Sequence, residues 1–299
     1  MALTVAVVGL GSMGYGMAQS CLRAGLTVHG VDVMAENVAR FKADGGNGGP
    51  IANTAQSLDG LVVVVLNAEQ VESVLFGNEG IVPRLRAGSV VMACATVPPD
   101  FAKEMEQRCE AHGVHFLDAP ISGGSIKAAA GQLSIMASGS AAPVAAPQPN
   151  IEATSTNLLP RGDTAGAGSA MKAVNQLLAG VHIATMAEAL TFGMTQGICP
   201  ETFVEVITKC AGNSWMLENR APHVVAGDYK PLSQVNIWPK DLGIVLQAAR
   251  SSGFHAPITE TALERYARAV EMGLGHEDDA AVAKVYAQEA GLTLPKAKQ

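Results

Sequence analysis

Short apolar runs alternate with longer stretches of helical period through the first half of the chain. The runs cover residues 3–8, 27–31, 61–66, 90–93, 114–117 and 133–137. Their hydrophobicity is nearly continuous, as in Val62-Val63-Val64-Val65, which is what strands buried on both faces require. Strands and helices in alternation predict a parallel sheet covered by helices on each side. Beyond Gly168 the strand signal ends and helical periods run nearly to the C-terminus. The expected fold class is α/β: a doubly wound Rossmann domain over residues 1–165, then an all-helical substrate and oligomerisation domain over 166–299, with a long interdomain helix.

That helix is predicted over residues 170–196, with Ser169 as its N-cap and Gly197 as its stop. Met171, Val174, Leu177, Leu178, Val181, Ile183, Met186, Leu190 and Phe192 wrap most of its circumference, so the helix is expected to be largely buried. One stretch resists a regular assignment. Residues 141–156 carry Pro143, Pro147 and Pro149, too close together for a helix interior, and an irregular connection is predicted there.

The first chemical signal sits between the first strand and the first helix. Gly9-Leu10-Gly11-Ser12-Met13-Gly14 is a G-x-G-x-x-G in the strand-turn-helix setting that gives the motif its meaning. Gly9 allows a tight turn, Gly11 lets the backbone approach a pyrophosphate, and Gly14 permits close helix packing, while the helix N-terminus offers unpaired N–H groups. Asp32 ends the second strand about twenty residues further on, where a carboxylate binds ribose hydroxyls. It repels a 2′-phosphate, and no Arg follows it, so NAD is expected rather than NADP; the alternative is that Asp32 only caps the next helix.

Charge and composition narrow the partners. The 299 residues carry a net charge of -7 and no Lys/Arg-dense run, which argues against a nucleic acid or an anionic membrane surface and for a small-molecule ligand. The apolar first ten residues lack a preceding basic region and are interrupted by Gly9 and Gly11, so they read as a strand and the protein as cytoplasmic. Cys21, Cys94, Cys109, Cys199 and Cys210 have no CxxC spacing and read as reduced, mostly buried thiols. His112 and His115 flank Gly113 in a loop-like setting, and no metal site is expected.

Two later stretches look built around an anion. Asp118-Ala119-Pro120-Ile121-Ser122-Gly123-Gly124 follows a strand, so successive N–H groups at Ser122, Gly123 and Gly124 are placed to cradle a carboxylate, unless the turn is purely structural. Gly166-Ala167-Gly168-Ser169-Ala170-Met171-Lys172 puts a lysine in the first turn of an apolar helix. Positive potential there and apolar neighbours are expected to lower its proton affinity towards the range of general acid-base catalysis; the alternative is an ammonium that reaches solvent. Gln176 lies one turn on, on the same face, and is placed to hold a substrate hydroxyl.

Together with Lys240-Asp241-Leu242-Gly243, these ordered motifs resemble the beta-hydroxyacid dehydrogenase family over nearly the whole chain. The resemblance implies that Ser122, Gly123 and Gly124 bind the substrate carboxylate. It further implies that Lys172 exchanges the proton of the reacting hydroxyl, and that Thr96 and Lys240 lie near both nicotinamide and substrate. Asn67 joins Gly9, Leu10, Gly11, Ser12, Met13, Gly14 and Asp32 in the expected cofactor set. Pro239 is expected to open a helix, leaving Lys240 near its positive end, with a surface salt bridge as the alternative. Where many members carry Lys-x-x-Asn-Asn, this chain has Lys172-Ala173-Val174-Asn175-Gln176, which keeps the reaction class and alters the substrate's seat.

Gln176 to His182 and Gly212-Asn213-Ser214-Trp215-Met216 look like the branch that oxidises the C2 hydroxyl of a four-carbon sugar acid, L-threonate first, with Asn213, Ser214 and Trp215 as substrate contacts. Oxidation of 3-hydroxyisobutyrate or D-threonate, reduction of tartronate semialdehyde, imine reduction, and NAD sensing without turnover stay open beside it. The family's habits imply a homodimer or homotetramer.

Overall fold

The structure, a computed structural model, describes residues 3–140, 149–160 and 162–297. Its first sheet holds six parallel strands: β1 (Thr4–Val8), β2 (Thr27–Val31), β3 (Asn47–Gly48), β4 (Gly60–Val63), β5 (Val90–Ala93) and β6 (His115–Asp118), in the order β3-β2-β1-β4-β5-β6. Successive side chains of β1 enter opposite layers. Val5 and Val7 pack with Met17, Val28, Phe41 and Val62, while Ala6 and Val8 pack with Leu61, Val63, Leu75 and Met105. Both layers are buried, which is why the strands read as unbroken apolar runs; each fully buried Val or Leu contributes about 1.5–3 kcal/mol. Helices α1 (Gly14–Arg23), α2 (Ala35–Ala43), α3 (Ala68–Phe76) and α4 (Pro99–Glu110) follow β1, β2, β4 and β5.

The run at 133–137 forms a strand but not in this sheet, which corrects the expectation of one continuous parallel sheet. It is the middle strand, β8 (Leu133–Ala137), of a second sheet, antiparallel to β7 (Ile121–Ser122) and parallel to β9 (Ser155–Pro160). The cause is the short helix α5 (Gly124–Ala130), which folds back on α1 instead of crossing the first sheet. Gly16 makes the close approach possible, since a Cβ there would sit 2.6 Å from Ala129 N, and Ser20 Oγ donates to Ala128 O at 3.1 Å. The chain therefore returns against the end of β6: Asp118 N donates to Ser138 O at 2.8 Å, and Ser138 N to Asp118 O at 2.9 Å.

Of the stretch expected to be irregular, residues 141–148 lie outside those described. The remainder is regular, a second correction: Pro149–Thr154 is helix α6 and Ser155 opens β9. Pro149 stands at the helix start, where a missing N–H removes no helical hydrogen bond.

Helix α7 (Ala167–Thr195) opens before Ser169, which is thus a first-turn residue and not the N-cap. Gly197, at φ +80°, follows its end as expected. Burial is partial, contrary to expectation. Ile183, Met186, Ala187 and Leu190 are in the core, while Met171, Val174, Leu178 and Phe192 are exposed. By length and composition α7 is apolar enough to cross a membrane, but its buried residues belong to a packed protein core.

The chain divides into two compact units, Met1–Lys172 and Ala173–Gln299. The second is helical, with α8 (Pro200–Ile207), α9 (Trp215–Ala226), α10 (Ile237–Ser251), α11 (Pro257–Glu271) and α12 (Ala283–Glu289) following α7. At Gly180 a Cβ would lie 2.8 Å from Trp238 Cε3, so the glycine sets how closely α10 approaches α7. Trp238 stacks on Tyr266 with ring centroids 5.5 Å apart, and Tyr266 Oη donates to Gly180 O at 2.8 Å. Beneath them Asp279 accepts from Arg220 Nε at 2.5 Å and Trp238 Nε1 at 3.0 Å. Burial raises the Asp279 carboxyl to about 6 although Arg220 opposes the rise.

Candidate active site

The strand order reverses between β1 and β4, and a doubly wound sheet binds its ligand beyond the strand ends at such a point. The glycine loop lies there. Gly9 has φ +94°, and a Cβ would stand 2.3 Å from Val64 O; at Gly14 a Cβ would stand 1.8 Å from Gly9 O. At Gly11 an added Cβ meets nothing within 4 Å, so the loop leaves open space beside its backbone, with room for a phosphate group. Gly9 and Gly14 are demanded by the protein's own backbone, while Gly11 borders open space.

Asp32 closes the cradle. Its Oδ2 accepts from Leu10 N at 2.6 Å and its Oδ1 from Met34 N at 2.8 Å. Asp32 does not cap α2, whose N-cap is Met34; it braces the turn before that helix and the glycine loop together. Each oxygen keeps lone-pair capacity for a ribose hydroxyl. Ser12 is exposed, Met13 immediately precedes α1, and Val33, beside Asp32, is fully exposed at the rim. Asn67 caps α3, its Oδ1 accepting from Gln70 N at 2.9 Å while Leu66 N donates to Gln70 Oε1 at 2.8 Å. Thr96 follows β5, half-buried between buried Ala95 and Val97. These features fit a dinucleotide, with the loop for its phosphates and Asp32 for a ribose.

Gly123 and Gly124 have φ +140° and +74°, so the turn after β7 uses two conformations that side-chain-bearing residues avoid. Nothing stands within 4 Å of a Cβ built on Gly124. Lys172 is buried at 7% exposure, and its Nζ donates to Ile121 O at 2.9 Å, directly before Ser122. An ammonium simply reaching solvent is not what the structure shows.

The first turn of α7 is held by a residue the sequence offered only as part of a motif. Asp118 Oδ2 accepts from Gly166 N at 2.9 Å and Ser169 N at 2.8 Å, and its Oδ1 from Ser169 Oγ at 2.7 Å. Ser138 Oγ donates to Oδ2 at 3.2 Å and accepts from Gly168 N at 2.9 Å. Burial raises the Asp118 carboxyl above its usual range, while the Ser169, Gly166 and Ser138 donors pull it back. Cys94 and Cys21, buried nearby in the same layer, are inert thiols, with Cys21 pushed up to about 12 by burial; Cys109 is also buried, and Cys199 and Cys210 are exposed.

In the second unit Gln176, Lys240 and Asp241 come together. Gln176 Nε2 donates to Asp241 Oδ2 at 2.5 Å, Asn175 Nδ2 donates to Gln176 Oε1 at 2.9 Å, and Lys240 Nζ lies 2.6 Å from Asp241 Oδ1. The helix α10 opens at Ile237, two residues before Pro239, and Lys240 still lies in its first turn. The lysine's partner is a buried carboxylate, so its ion pair is not the surface pair considered from sequence. Asn213, Ser214 and Trp215 form a separate group at the start of α9. Ser214 Oγ caps the helix by accepting from Leu217 N at 3.1 Å, Asn213 Nδ2 donates to Thr208 O and Glu218 Oε1, and the Trp215 side chain is exposed.

Residues 4–162 match the family described as the NAD binding domain of 6-phosphogluconate dehydrogenase, and residues 166–286 match that described as NAD-binding of NADP-dependent 3-hydroxyisobutyrate dehydrogenase. The chain belongs to the beta-hydroxyacid dehydrogenase family. This beta-hydroxyacid dehydrogenase is an oxidoreductase with a site for a nicotinamide dinucleotide. It is 45% identical to an L-threonate dehydrogenase of Cupriavidus necator over 99% of both chains, and 32% identical to a 3-hydroxyisobutyrate dehydrogenase of Pseudomonas aeruginosa over 94% of this chain and 98% of the relative. A crystal structure described as 3-hydroxyisobutyrate dehydrogenase from Salmonella typhimurium superposes with a TM-score of 0.89 at 44% identity, covering 95% of this chain and 99% of the other.

Proposed function

We propose that this dehydrogenase oxidises the C2 hydroxyl of L-threonate to give 2-oxo-tetronate, with NAD as the acceptor. The observation that carries the reading is Lys172, buried and hydrogen-bonded to Ile121 O directly beside the Ser122-Gly123-Gly124 turn. The choice of L-threonate rests on full-length relatives of that name at 43–45% identity, and that of NAD on Asp32, with no Arg directly following.

In this reading the N–H groups of Ser122, Gly123 and Gly124 hold the substrate carboxylate, and Lys172 Nζ accepts the hydroxyl proton as the C2–H bond gives up its hydride and the carbonyl forms. A dinucleotide bound in the glycine cradle supplies the hydride acceptor, which no side chain here provides. Gln176 orients the alcohol, its amide fixed by Asp241 and Asn175. Thr96 and Lys240 flank nicotinamide and substrate, and Asn213, Ser214 and Trp215 serve the remaining hydroxyls. The domains proposed are residues 1–165 for cofactor and 166–299 for substrate and assembly. Exposed Met171, Val174, Leu178 and Phe192 follow one stripe of α7 and support a homodimer or homotetramer, which light scattering measures.

The test is NADH formation over a panel of L-threonate, D-threonate and 3-hydroxyisobutyrate, with Lys172→Ala as control. L-threonate should give the highest kcat/KM, and Lys172→Ala should lower kcat by more than about 100-fold while NADH binding persists. A second reading, 3-hydroxyisobutyrate as substrate, is favoured by the description of the Salmonella structure, and the same panel decides between them.

A further inference from the structure

Two rungs tie the segment from Asp118 to Ser122 to the first turn of α7. At one, Asp118 accepts Ser169 N and Ser169 Oγ; at the other, Ile121 O accepts Lys172 Nζ. Ser169 and Lys172 are three residues apart on one helix face, with Cβ atoms about 5–6 Å apart. The two rungs are three residues apart along both segments, so carboxylate and ammonium lie within roughly 10 Å of each other, and the carboxylate occupies the N–H groups whose positive potential was expected to act on Lys172. Burial raises the Asp118 carboxyl, and two backbone N–H groups that can only donate meet at Oδ2 and oppose that rise in favour of the ionised form.

We propose that Asp118 is a positioning residue for the dehydrogenase reaction: it locks the first turn of α7 in place and supplies the fixed negative charge that sets the proton affinity of Lys172. The inference rests on the assignment of Lys172 as the acid-base group. Other groups around the pair are of lesser weight. Cys94, at the end of β5, is a thiol that burial and Asp118 both keep protonated. From α4, Lys103 lays its stem against Gly166 and pairs its ammonium with Asp100 at 2.8 Å in solvent, and Glu106 accepts Ala165 N at 3.0 Å. Ser138 and Ser169 are neutral. Glu106 is the second anion near the helix start, and it stays constant when Asp118 alone is changed.

Asp118→Asn separates charge from shape. The amide oxygen can accept Gly166 N and Ser169 N in place of Oδ2, and the amide nitrogen can donate to Ser169 Oγ in place of Oδ1. At roughly 10 Å and an effective dielectric constant of about 20, loss of the charge lowers the Lys172 pKa by about one.

The experiment titrates the full chain, labelled with [ε-13C]lysine, by NMR, with the Lys172 resonance identified by its loss in Lys172→Ala. Asp118→Asn should titrate at a pH lower by about one, and the pH limb of kcat on L-threonate should move the same way. Ser169→Ala, which removes a hydrogen bond and leaves the charge, should leave the midpoint unmoved. Coincident titrations of wild type and Asp118→Asn overturn the proposal, as does a Ser169→Ala displacement equal to that of Asp118→Asn, the mark of a merely structural role. The resonance reports on the pair whether or not the enzyme turns over, whereas turnover surviving in Lys172→Ala removes the acid-base assignment itself. Asp118→Ser serves the same comparison if the amide variant does not fold.

Discussion

Replacing Asp241 by Ala should loosen the second unit and slow the enzyme at once. The carboxylate is 2% exposed and accepts the Gln176 amide at 2.5 Å, with Lys240 Nζ 2.6 Å away. Alanine leaves Gln176 Nε2 buried without an acceptor, which costs about 1–3 kcal/mol. The Lys240 side chain keeps 30% of its exposure and can turn to water, so its lost ion pair adds only about 0–1 kcal/mol. The sum, about 1–4 kcal/mol, is measurable by urea denaturation at pH 7. On the proposed roles the freed Gln176 amide also samples other rotamers, so kcat on L-threonate should fall about tenfold or more while NADH affinity changes little. Asp241→Asn, which can still accept from Gln176, should recover most of the stability. An alanine variant within about 0.5 kcal/mol and twofold in kcat of wild type would refute the idea that this carboxylate organises the pair.

Three further outcomes follow from distances elsewhere in the molecule. On the proposed NAD preference, Asp32→Ser should raise KM for NAD about tenfold or more and improve use of NADP, because it removes the carboxylate that braces Leu10 and would repel a 2′-phosphate; unchanged cofactor kinetics sink the assignment. Gly14→Ala places a Cβ 1.8 Å from Gly9 O, so the loop must shift, and calorimetric titration with NADH should show binding weakened at least tenfold. Asp279, raised to about 6, holds its proton more tightly folded than unfolded, so its contribution to stability is present below the unfolded value near 4 and is lost as pH rises through about 6. The stability of wild type relative to Asp279→Asn should decline between about pH 4 and 6, and a parallel pair of curves would remove Asp279 from the account.

What was legible in the sequence was local. The valine runs of β1, β4 and β5 declared strands buried on both faces, and the glycine loop with Asp32 declared its ligand class, because each signal lies within a few residues or one βαβ unit. What was hidden depends on partners far along the chain. Ser169 has the composition of an N-cap, yet Asp118, 51 residues earlier, receives its N–H. The expected positive helix end at Lys172 is met by that same carboxylate. Gln176 looked free to face a substrate, while its amide is held by Asp241, 65 residues on. β9 carries no apolar run at its start, because it opens with the polar Ser155, Thr156 and Asn157, and the apolar run of β8 marks a strand without marking that it turns away behind α5.

Gly168 carries a consequence for how this chain can be varied. A side chain there would press its Cβ to 2.3 Å from Met136 O, so the start of α7 rests main chain against main chain on β8. Such a seat involves no side chain, and the position of Lys172 one turn later is set by the backbone. The first compact unit ends at Lys172 itself, whereas Gln176, Asn213, Ser214, Trp215 and Lys240 all belong to the second. On the proposed roles, drift after residue 172 can exchange one hydroxy acid for another while proton and hydride transfer stay as they are, and chimaeras joined at that residue would sort parental substrate preferences by their C-terminal parent.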